Sequence, residues 1–230
     1  MFRLAQDQDV ARLVLDRPEA RNAIPAAGWD ALGDLLGTVT ARVLIVAGAG
    51  GAFCAGADLT DFPGFGAEGA TRFRESMRAA LDTLAALEIP TIATIDGPCF
   101  GAGVALALAC DLRLAGAGAR FAITPAKLGI SYPQEDIFRL VETIGRAQAA
   151  RLLFTADTID ADEAVRIGLA DRLDEAGTIA AILANDSQSL ATLKRGIGLG
   201  QRGDAEQDRR FDALLGGAEM ARRLEALRRK

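Results

Sequence analysis

Two glycine-rich turns are the parts of this 230-residue sequence best suited to chemistry, because glycine lets backbone N–H groups approach a ligand. The first turn spans residues 48 to 59 and the second spans residues 96 to 105. In each, an apolar run typical of a strand passes through glycines toward a helical segment. Free N–H groups then lie at the positive end of a helix dipole, where they suit an anion or a developing oxyanion. Close packing of a helix on a sheet would explain either turn alone equally well, so both interpretations stay open at this point.

The residues available for proton transfer are limited, because the sequence contains no histidine. This excludes Ser-His-Asp and Cys-His nucleophilic sites and histidine-ligated metals. The three cysteines, Cys54, Cys99 and Cys110, lack the spacing of a zinc site or of a disulfide framework. We therefore expect no metal, buried cysteines and a reducing, cytoplasmic location. Proton transfer must come from Asp, Glu, Lys, Tyr, Cys or water.

Composition and charge argue against several kinds of partner. Half of the residues are hydrophobic, a quarter are charged and the formal net charge is −5, so we expect a folded core and no nucleic-acid binding. The longest apolar run, residues 98 to 110, is too short to cross a membrane and predicts a buried helix. A phosphate-binding loop is excluded because neither turn contains the required Lys-Ser/Thr pair. A dinucleotide site is weakly supported, since Phe53 stands where the third glycine should be.

Hydrophobic periodicity predicts the elements that position these turns. We predict strands at residues 10–15, 42–47, 91–95 and 112–115, and helices at 71–88, 101–109, 135–144, 146–154 and 161–167. The strand-turn-helix pattern occurs twice, and the continuous β-branched run at 42–47 indicates a strand that is buried on both faces. Asp160 is a good N-cap, and Gly168 would end the helix that follows it. Three more helical segments after about residue 175 are expected to form an appendage.

Three segments together resemble a known family. They are residues 14 to 23 (VLDRPEARNA), residues 53 to 59 (FCAGADL), and the stretch that begins with Ile95-Asp96-Gly97 and ends with Cys110-Asp111-Leu112. The chain is similar to the enoyl-CoA hydratase/isomerase (crotonase) superfamily from about Val10 to Leu173. The resemblance implies an α/β fold, with a ββα spiral core over residues 1–173 and a C-terminal helical assembly region over 174–230. It also implies an acyl-CoA thioester as ligand, with coenzyme A as part of the substrate and no separate cofactor, and a homotrimer or hexamer.

The resemblance also assigns site residues. The backbone N–H groups of Ala57 and Ala102 would hold the thioester oxygen, where charge develops as an enolate forms. Asp58 is expected to serve mainly as a structural cap. The expected substrate-binding residues are Ala23, Ala55, Gly56, Asp58, Leu59 and Gly101.

Two departures from the family pattern bear on mechanism. The two glutamates of family hydratases are replaced by Ala105 and, in an ungapped alignment, by Pro125. Neither residue can transfer a proton. Glu135 and Asp136 follow closely and are the candidate replacements, although both also suit the first turn of a helix.

Tyr132 is the third proton-transfer candidate, with a packed core tyrosine as its alternative. Residues 121 to 132 are similar to a segment of methylmalonyl-CoA decarboxylases, in which the tyrosine lies in the acyl pocket. These observations predict an acyl-CoA enzyme of fatty acid metabolism, a lyase or isomerase, that performs hydratase, isomerase or decarboxylase chemistry. The alternative is a protein that binds acyl-CoA without catalysis.

Overall fold

The computed structural model describes residues 1–200, 203–215 and 217–228. The strands are β1 (Phe2–Asp7), β2 (Val10–Leu15), β3 (Val43–Gly48), β4 (Thr91–Ile95), β5 (Pro98–Phe100), β6 (Leu112–Ala115), β7 (Arg120–Ala122) and β8 (Thr158–Asp160). The helices are α1 (Ala26–Leu36), α2 (Ala67–Ala86), α3 (Ala102–Leu108), α4 (Gln134–Thr155), α5 (Ala161–Arg166), α6 (Glu175–Leu183), α7 (Ser187–Leu199), α8 (Ala205–Leu215) and α9 (Ala218–Arg228). Short 3-10 turns lie at Pro18–Ala20, Leu59–Gly64 and Pro125–Leu128.

The larger sheet has the strand order β1-β2-β3-β4-β6. β1 is antiparallel to β2, and the remaining neighbours are parallel. The side chains of Val43 to Val46 are fully buried, which confirms that β3 is covered on both faces. Because β3 and β4 are parallel neighbours, the two glycine-rich turns that follow them leave the sheet at the same edge.

A second, smaller sheet contains β5, β7 and β8. A bridge between Cys54 and Cys99 places the first turn beside β5. A strand of the large sheet, a short extended segment in the second layer and a helix therefore follow one another repeatedly, as in β4-β5-α3. This arrangement confirms the predicted α/β class and the ββα spiral.

The structure confirms the helix predicted at 101–109 and corrects the interpretation of the whole apolar run, residues 98 to 110, as a buried helix. Pro98–Phe100 is strand β5, which pairs with β7, and only Ala102–Leu108 is helical. Gly101 separates the two elements with φ of +49°, a conformation that suits glycine. Hydrophobicity alone does not reveal the boundary between β5 and α3, because a short buried strand and a short buried helix are equally hydrophobic.

Other predicted elements agree closely with the structure. The strands β2, β4 and β6 have the predicted bounds. Gly145, with φ of 74°, divides α4 at the predicted junction between two helices. The Asp160 carboxylate accepts the Glu163 N–H at 2.9 Å, which confirms the predicted N-cap of α5. The helix predicted at 71–88 is α2, which begins earlier, at Ala67.

The C-terminal region contains four described helices, α6 to α9, where three were predicted. Ile179, Ile182 and Leu183 of α6 pack against Val43 and Ile92 of the large sheet. The helical region therefore buries an outer face of the sheet. Of the helices in the described ranges, none has the length and apolar character needed to cross a membrane.

Gly103 controls how closely the two turns approach, because a Cβ atom there would lie 2.3 Å from the Cys54 carbonyl oxygen. We expect Gly103→Ala to lower the free energy of unfolding by about 1–3 kcal/mol through overpacking, as measured by urea denaturation. Gly198→Ala in α7 is the matched control, since a Cβ there meets nothing within 4 Å. That control should be neutral or should stabilise by about 0.5–1 kcal/mol. A Gly103→Ala protein as stable as the parent would contradict the close contact of the turns.

Candidate active site

The first turn brings the Ala57 N–H to the carboxyl edge of the large sheet. The Ile24 N–H donates to the Gly56 carbonyl at 2.8 Å, and the Asp58 N–H donates to the Ile24 carbonyl at 2.9 Å. These bonds fix the backbone on both sides of Ala57. Within the described ranges, no protein group accepts the Ala57 N–H.

The second turn ends at the beginning of α3. The Gly101 N–H donates to the Ala122 carbonyl at 2.9 Å, which anchors the turn to β7. Ala102 is the first residue of the helix, a position whose N–H has no intrahelical acceptor. As far as the structure describes the chain, this N–H has no protein acceptor either.

The two turns are in contact. The Phe100 N–H donates to the Cys54 carbonyl at 2.9 Å. A Cβ atom placed on Gly56 would lie 3.4 Å from the Ala102 nitrogen and 2.9 Å from the Phe100 carbonyl oxygen. Glycine at position 56, with φ of 108°, therefore allows the backbones that carry the two free N–H groups to lie side by side.

Both turns line one cavity of about 550 Å³, within the range of small-molecule sites. Its wall is formed by Ala55, Gly56, Ala57, Leu59, Phe62, Phe65, Ala70, Phe73, Arg74, Met77, Gly101, Ala102, Thr124, Pro125, Leu128, Ile130, Ser131, Tyr132 and Pro133. The predicted site residues Ala55, Gly56, Ala57, Leu59, Gly101, Ala102 and Tyr132 are thus brought together. Ala23 and Asp58 lie outside this wall.

Asp58 has the structural role that its position after the turn predicts. Its carboxylate accepts the Thr60 N–H at 3.1 Å and the Thr60 hydroxyl at 2.7 Å, and it is salt-bridged to Arg17. Those Thr60 bonds and the Arg17 guanidinium lower the pKa of Asp58 to about 2. A carboxylate held in this way caps the 3-10 turn and remains ionised.

Tyr132 forms part of the cavity wall and supports the second turn. Its hydroxyl donates to the Gly101 carbonyl at 2.9 Å, directly before the free N–H of Ala102. Burial and the neighbouring Asp136 raise the pKa of Tyr132 well above its usual value. The neutral hydroxyl therefore serves as a donor that positions the backbone, and its role in proton transfer stays a prediction.

Asp136 is a buried carboxyl group with an unpaired oxygen. The residue is 2% exposed, and its Oδ2 has no hydrogen-bond partner in the described part of the chain. Burial raises its pKa to about 6, although Arg139 and Arg78 act in the opposite direction. It lines a small pocket of about 180 Å³ that shares Arg74, Met77 and Pro133 with the large cavity. A carboxyl group with a pKa near neutrality can both take up and release a proton.

Glu135 differs sharply from its neighbour. Its carboxylate is 2.8 Å from Arg78 Nη1 and is partly exposed, although both residues line the same small pocket and neither lines the large cavity. The Arg78 hydrogen bond lowers the pKa of Glu135 below its usual value. Glu135 is therefore held as an ion-paired carboxylate, and its predicted catalytic role is less favoured than that of Asp136.

A network of ion pairs between α2 and α4 surrounds Asp136. Asp82 on α2 lies 3.0 Å from Arg78 and 2.7 Å from Arg139, and Arg139 Nη1 lies 3.7 Å from Asp136 Oδ1. Sequence reasoning missed Arg78, Asp82 and Arg139, because they look like exposed helix charges until the two helices are packed together. The charges of these three side chains contribute to the pKa of Asp136.

Arg139→Gln should raise the pKa of Asp136 further above 6, since the guanidinium favours the ionised carboxyl group. If the Asp136 carboxylate acts as the base, the acidic limb of the kcat/KM profile should move upward by about one pH unit. Arg151→Gln is the control, because Arg151 lies farther along α4 and pairs with Glu163. If the acidic limb of the kcat/KM profile is unchanged in Arg139→Gln, ionisation of Asp136 is not the cause of that limb.

The positions of the absent glutamates contain groups without acid-base chemistry. Ala105 is fully buried in α3, and Pro125 forms part of the cavity wall. The cysteines near the turns are buried, as expected, and burial raises the pKa of Cys54 to about 12. In the described ranges, no group of three His, Cys, Asp or Glu residues could hold a metal ion.

Comparison with known proteins identifies the family of this chain. Residues 5–193 match the model of the enoyl-CoA hydratase/isomerase family. The chain belongs to this family. The C-terminal residues that follow the matched region include α8 and α9.

Individual relatives support this assignment. The Mycobacterium leprae protein named "Probable enoyl-CoA hydratase echA6" is 34% identical over 180 residues, covering 75% of this chain and 71% of that protein. An enoyl-CoA hydratase/carnithine racemase from Magnetospirillum magneticum superimposes with a TM-score of 0.90 at 30% identity, covering 99% of this chain and 92% of that one. An enoyl-CoA hydratase homologue from Thermobifida fusca, solved in complex with acetoacetyl-CoA, has a TM-score of 0.80 at 29% identity and covers 97% and 95%.

Proposed function

We propose that this protein is an enzyme that acts on enoyl thioesters of coenzyme A, with Asp136 as its single proton-transferring carboxyl group. The observation that carries the proposal is the pair of free N–H groups, at Ala57 and Ala102, on two touching turns that line one apolar cavity. The complex of the Thermobifida fusca relative with acetoacetyl-CoA supports a thioester ligand.

The two N–H groups would bind the thioester oxygen. When a nucleophile adds to C3, or when a proton leaves C2, electron density moves onto this oxygen. Donors that are already oriented stabilise that charge more strongly in the transition state than in the ground state. Tyr132 would assist by holding the Gly101 carbonyl and with it the orientation of the Ala102 N–H.

Hydration of a 2-enoyl-CoA is the first reaction to test, because the Mycobacterium leprae relative carries that name. The water oxygen would bond to C3, and the electrons of the C2–C3 double bond would shift to C1–C2 and the thioester oxygen to form the enolate. The proton lost by water would then be delivered to C2. With Ala105 and Pro125 at the glutamate positions, the single Asp136 carboxyl group would have to accept the water proton and supply the C2 proton. The small pocket beside Asp136, about 180 Å³, has room for several waters at roughly 30 Å³ each.

Migration of a double bond is the second candidate, and the presence of one unpaired carboxyl group favours it. Asp136 would remove a proton from C2 of a 3-enoyl-CoA, and the same proton would return to C4 to give the 2-enoyl isomer. This reaction needs one base and no water. Decarboxylation of a malonyl-type thioester would generate the same enolate and stays a prediction from the sequence.

The test is incubation of the purified protein with crotonyl-CoA, a 3-enoyl-CoA and methylmalonyl-CoA, with products identified by mass spectrometry. Turnover of an enoyl-CoA is the expected result. Binding of acyl-CoA without turnover of any of the three would overturn the enzyme proposal in favour of a non-catalytic acyl-CoA-binding protein. If none of the three acyl-CoAs binds, both the enzyme proposal and the non-catalytic acyl-CoA-binding alternative are wrong.

We also propose the homotrimer or hexamer that the family resemblance implies. Large apolar side chains that remain exposed on the C-terminal helices support it: Leu193 and Ile197 on α7, Phe211 and Leu215 on α8, and Leu224 on α9. An interface between copies would bury such surface.

A further inference from the structure

Three phenylalanines form one wall of the large cavity. The ring centroids of Phe62 and Phe65 are 5.5 Å apart, those of Phe62 and Phe73 are 5.6 Å apart, and those of Phe65 and Phe73 are 5.3 Å apart. These distances are typical of packed aromatic pairs. Phe62 lies in the 3-10 turn directly after Ala57, and Phe73 lies on α2. The first phenylalanine of the aromatic wall, Phe62, therefore follows the proposed oxygen-binding residue Ala57 by five positions in the sequence, and both residues line the cavity.

Other residues of the cavity wall are apolar and exposed to solvent. Leu128 is 48% exposed and Ile130 is 45% exposed, and Leu59 beside the aromatic wall is 51% exposed. All three line the cavity. Exposed large apolar side chains that converge on one concave site indicate a binding surface for an apolar group.

The described wall of this cavity carries little charge. Of the described residues in the wall, Arg74 alone is charged, and its guanidinium is 3.2 Å from Glu75 and half exposed. Its alkyl stem can then cover apolar surface while the charged end remains in water. A hydrocarbon chain can pack against the apolar part of the wall without disturbing the Arg74–Glu75 pair.

The volume of the cavity also favours an acyl chain longer than four carbons. A four-carbon acyl group occupies roughly 120 Å³ if each carbon group takes about the volume of one water molecule, 30 Å³. The cavity of about 550 Å³ is more than four times this volume, so it has room for a longer acyl chain.

We infer that Phe62, Phe65 and Phe73 form a subsite for a medium-chain, unbranched hydrocarbon acyl group of about eight carbons, in preference to a four-carbon group. The inference rests on the proposed function, since it assumes that the cavity holds an acyl-CoA. Each methylene that leaves water for the aromatic wall should strengthen binding by about two- to fourfold. The effect should saturate once the wall is covered.

Binding of saturated acyl-CoAs tests this inference without relying on turnover. Titration calorimetry with butanoyl-, hexanoyl- and octanoyl-CoA is expected to give Kd values that fall at least about 16-fold from the first ligand to the third. Similar Kd values for all three, or tighter binding of butanoyl-CoA, would overturn the chain-length inference while leaving the proposed function in place. If none of the three binds, the proposed function itself fails.

Two variants locate the subsite. Phe65→Ala should remove most of the octanoyl preference, reducing it about tenfold, with a much smaller change in butanoyl affinity. Phe65→Leu, which keeps an apolar side chain, should have an intermediate effect and guards against misfolding of the alanine variant. Phe154→Ala is the matched control, because Phe154 is 82% exposed on α4 and lies outside the cavity wall. An unchanged octanoyl preference in a folded Phe65→Ala protein would contradict the assignment.

Discussion

Asp136→Asn is expected to lower kcat on an enoyl-CoA by about 10²- to 10⁴-fold, the usual contribution of a positioned acid-base group. The reason is that Asp136 combines burial, an unpaired oxygen and a pKa raised to about 6, in a small pocket that shares three wall residues with the proposed acyl-CoA cavity. Initial-rate kinetics on crotonyl-CoA or a 3-enoyl-CoA measure the effect. The same substitution in a solvated first-turn aspartate, Asp162→Asn on α5, is the control.

The same variant is expected to be more stable than the parent at pH 8. Because burial raises the pKa of Asp136 in the folded protein from 3.8 to about 6, the unfolded chain ionises first as the pH rises. The stabilising effect of the protonated group is complete below about pH 4 and is lost as the pH rises through about 6. Asparagine cannot ionise, so it should avoid this loss, which amounts to at most about 3 kcal/mol at roughly 1.4 kcal/mol per pKa unit.

Urea denaturation at pH 4 and pH 8 checks the second part of this prediction. The stability difference between Asp136→Asn and the parent should be larger at pH 8 than at pH 4. A loss of activity accompanied by a loss of stability at both pH values would indicate a structural role. Full activity in the variant would exclude Asp136 from the mechanism and leave Glu135 as the remaining carboxylate candidate.

Ala102→Pro is expected to lower kcat/KM by about 10²- to 10³-fold while the protein stays folded. Proline removes the N–H that is proposed to bind the thioester oxygen, and one such donor is typically worth about 2.7–4 kcal/mol. Ala102 is the first residue of α3, which is the helical position where proline is best tolerated. Kinetics and thermal denaturation of the same preparation separate the two effects.

Ala67→Pro is the matched control, because Ala67 is also the first residue of a helix, α2, and lies outside the cavity wall. It should retain both activity and stability. Equal activity losses in the two variants would attribute the effect to helix perturbation, and normal activity in Ala102→Pro would contradict the proposed oxyanion site.

Much of the fold could be predicted because its signals are local. The β-branched run of β3, the strand that ends at Ile95 and the Asp160 cap each depend on neighbouring residues. The antiparallel strand β1 and the short strands β5, β7 and β8 were not predicted. Three-residue strands such as β5 and β7 are defined by their pairing partners, and no periodicity can develop over so few residues.

The two turns could be located from glycine spacing alone, because it acts within a few residues and carries the family resemblance that predicts their backbone donors. Only the tertiary structure distinguished Asp136 from Glu135, which are adjacent in sequence and equally suited to a helix start. In the folded protein Asp136 is buried with Arg139 3.7 Å away, whereas Glu135 is partly exposed and pairs with Arg78 of α2. The chemical difference between the two carboxyl groups is therefore a matter of solvation and neighbouring charge. The partners on α2 that contribute to this charge, Arg78 with Glu135 and Asp82 with Arg139, are each 57 positions away in the chain.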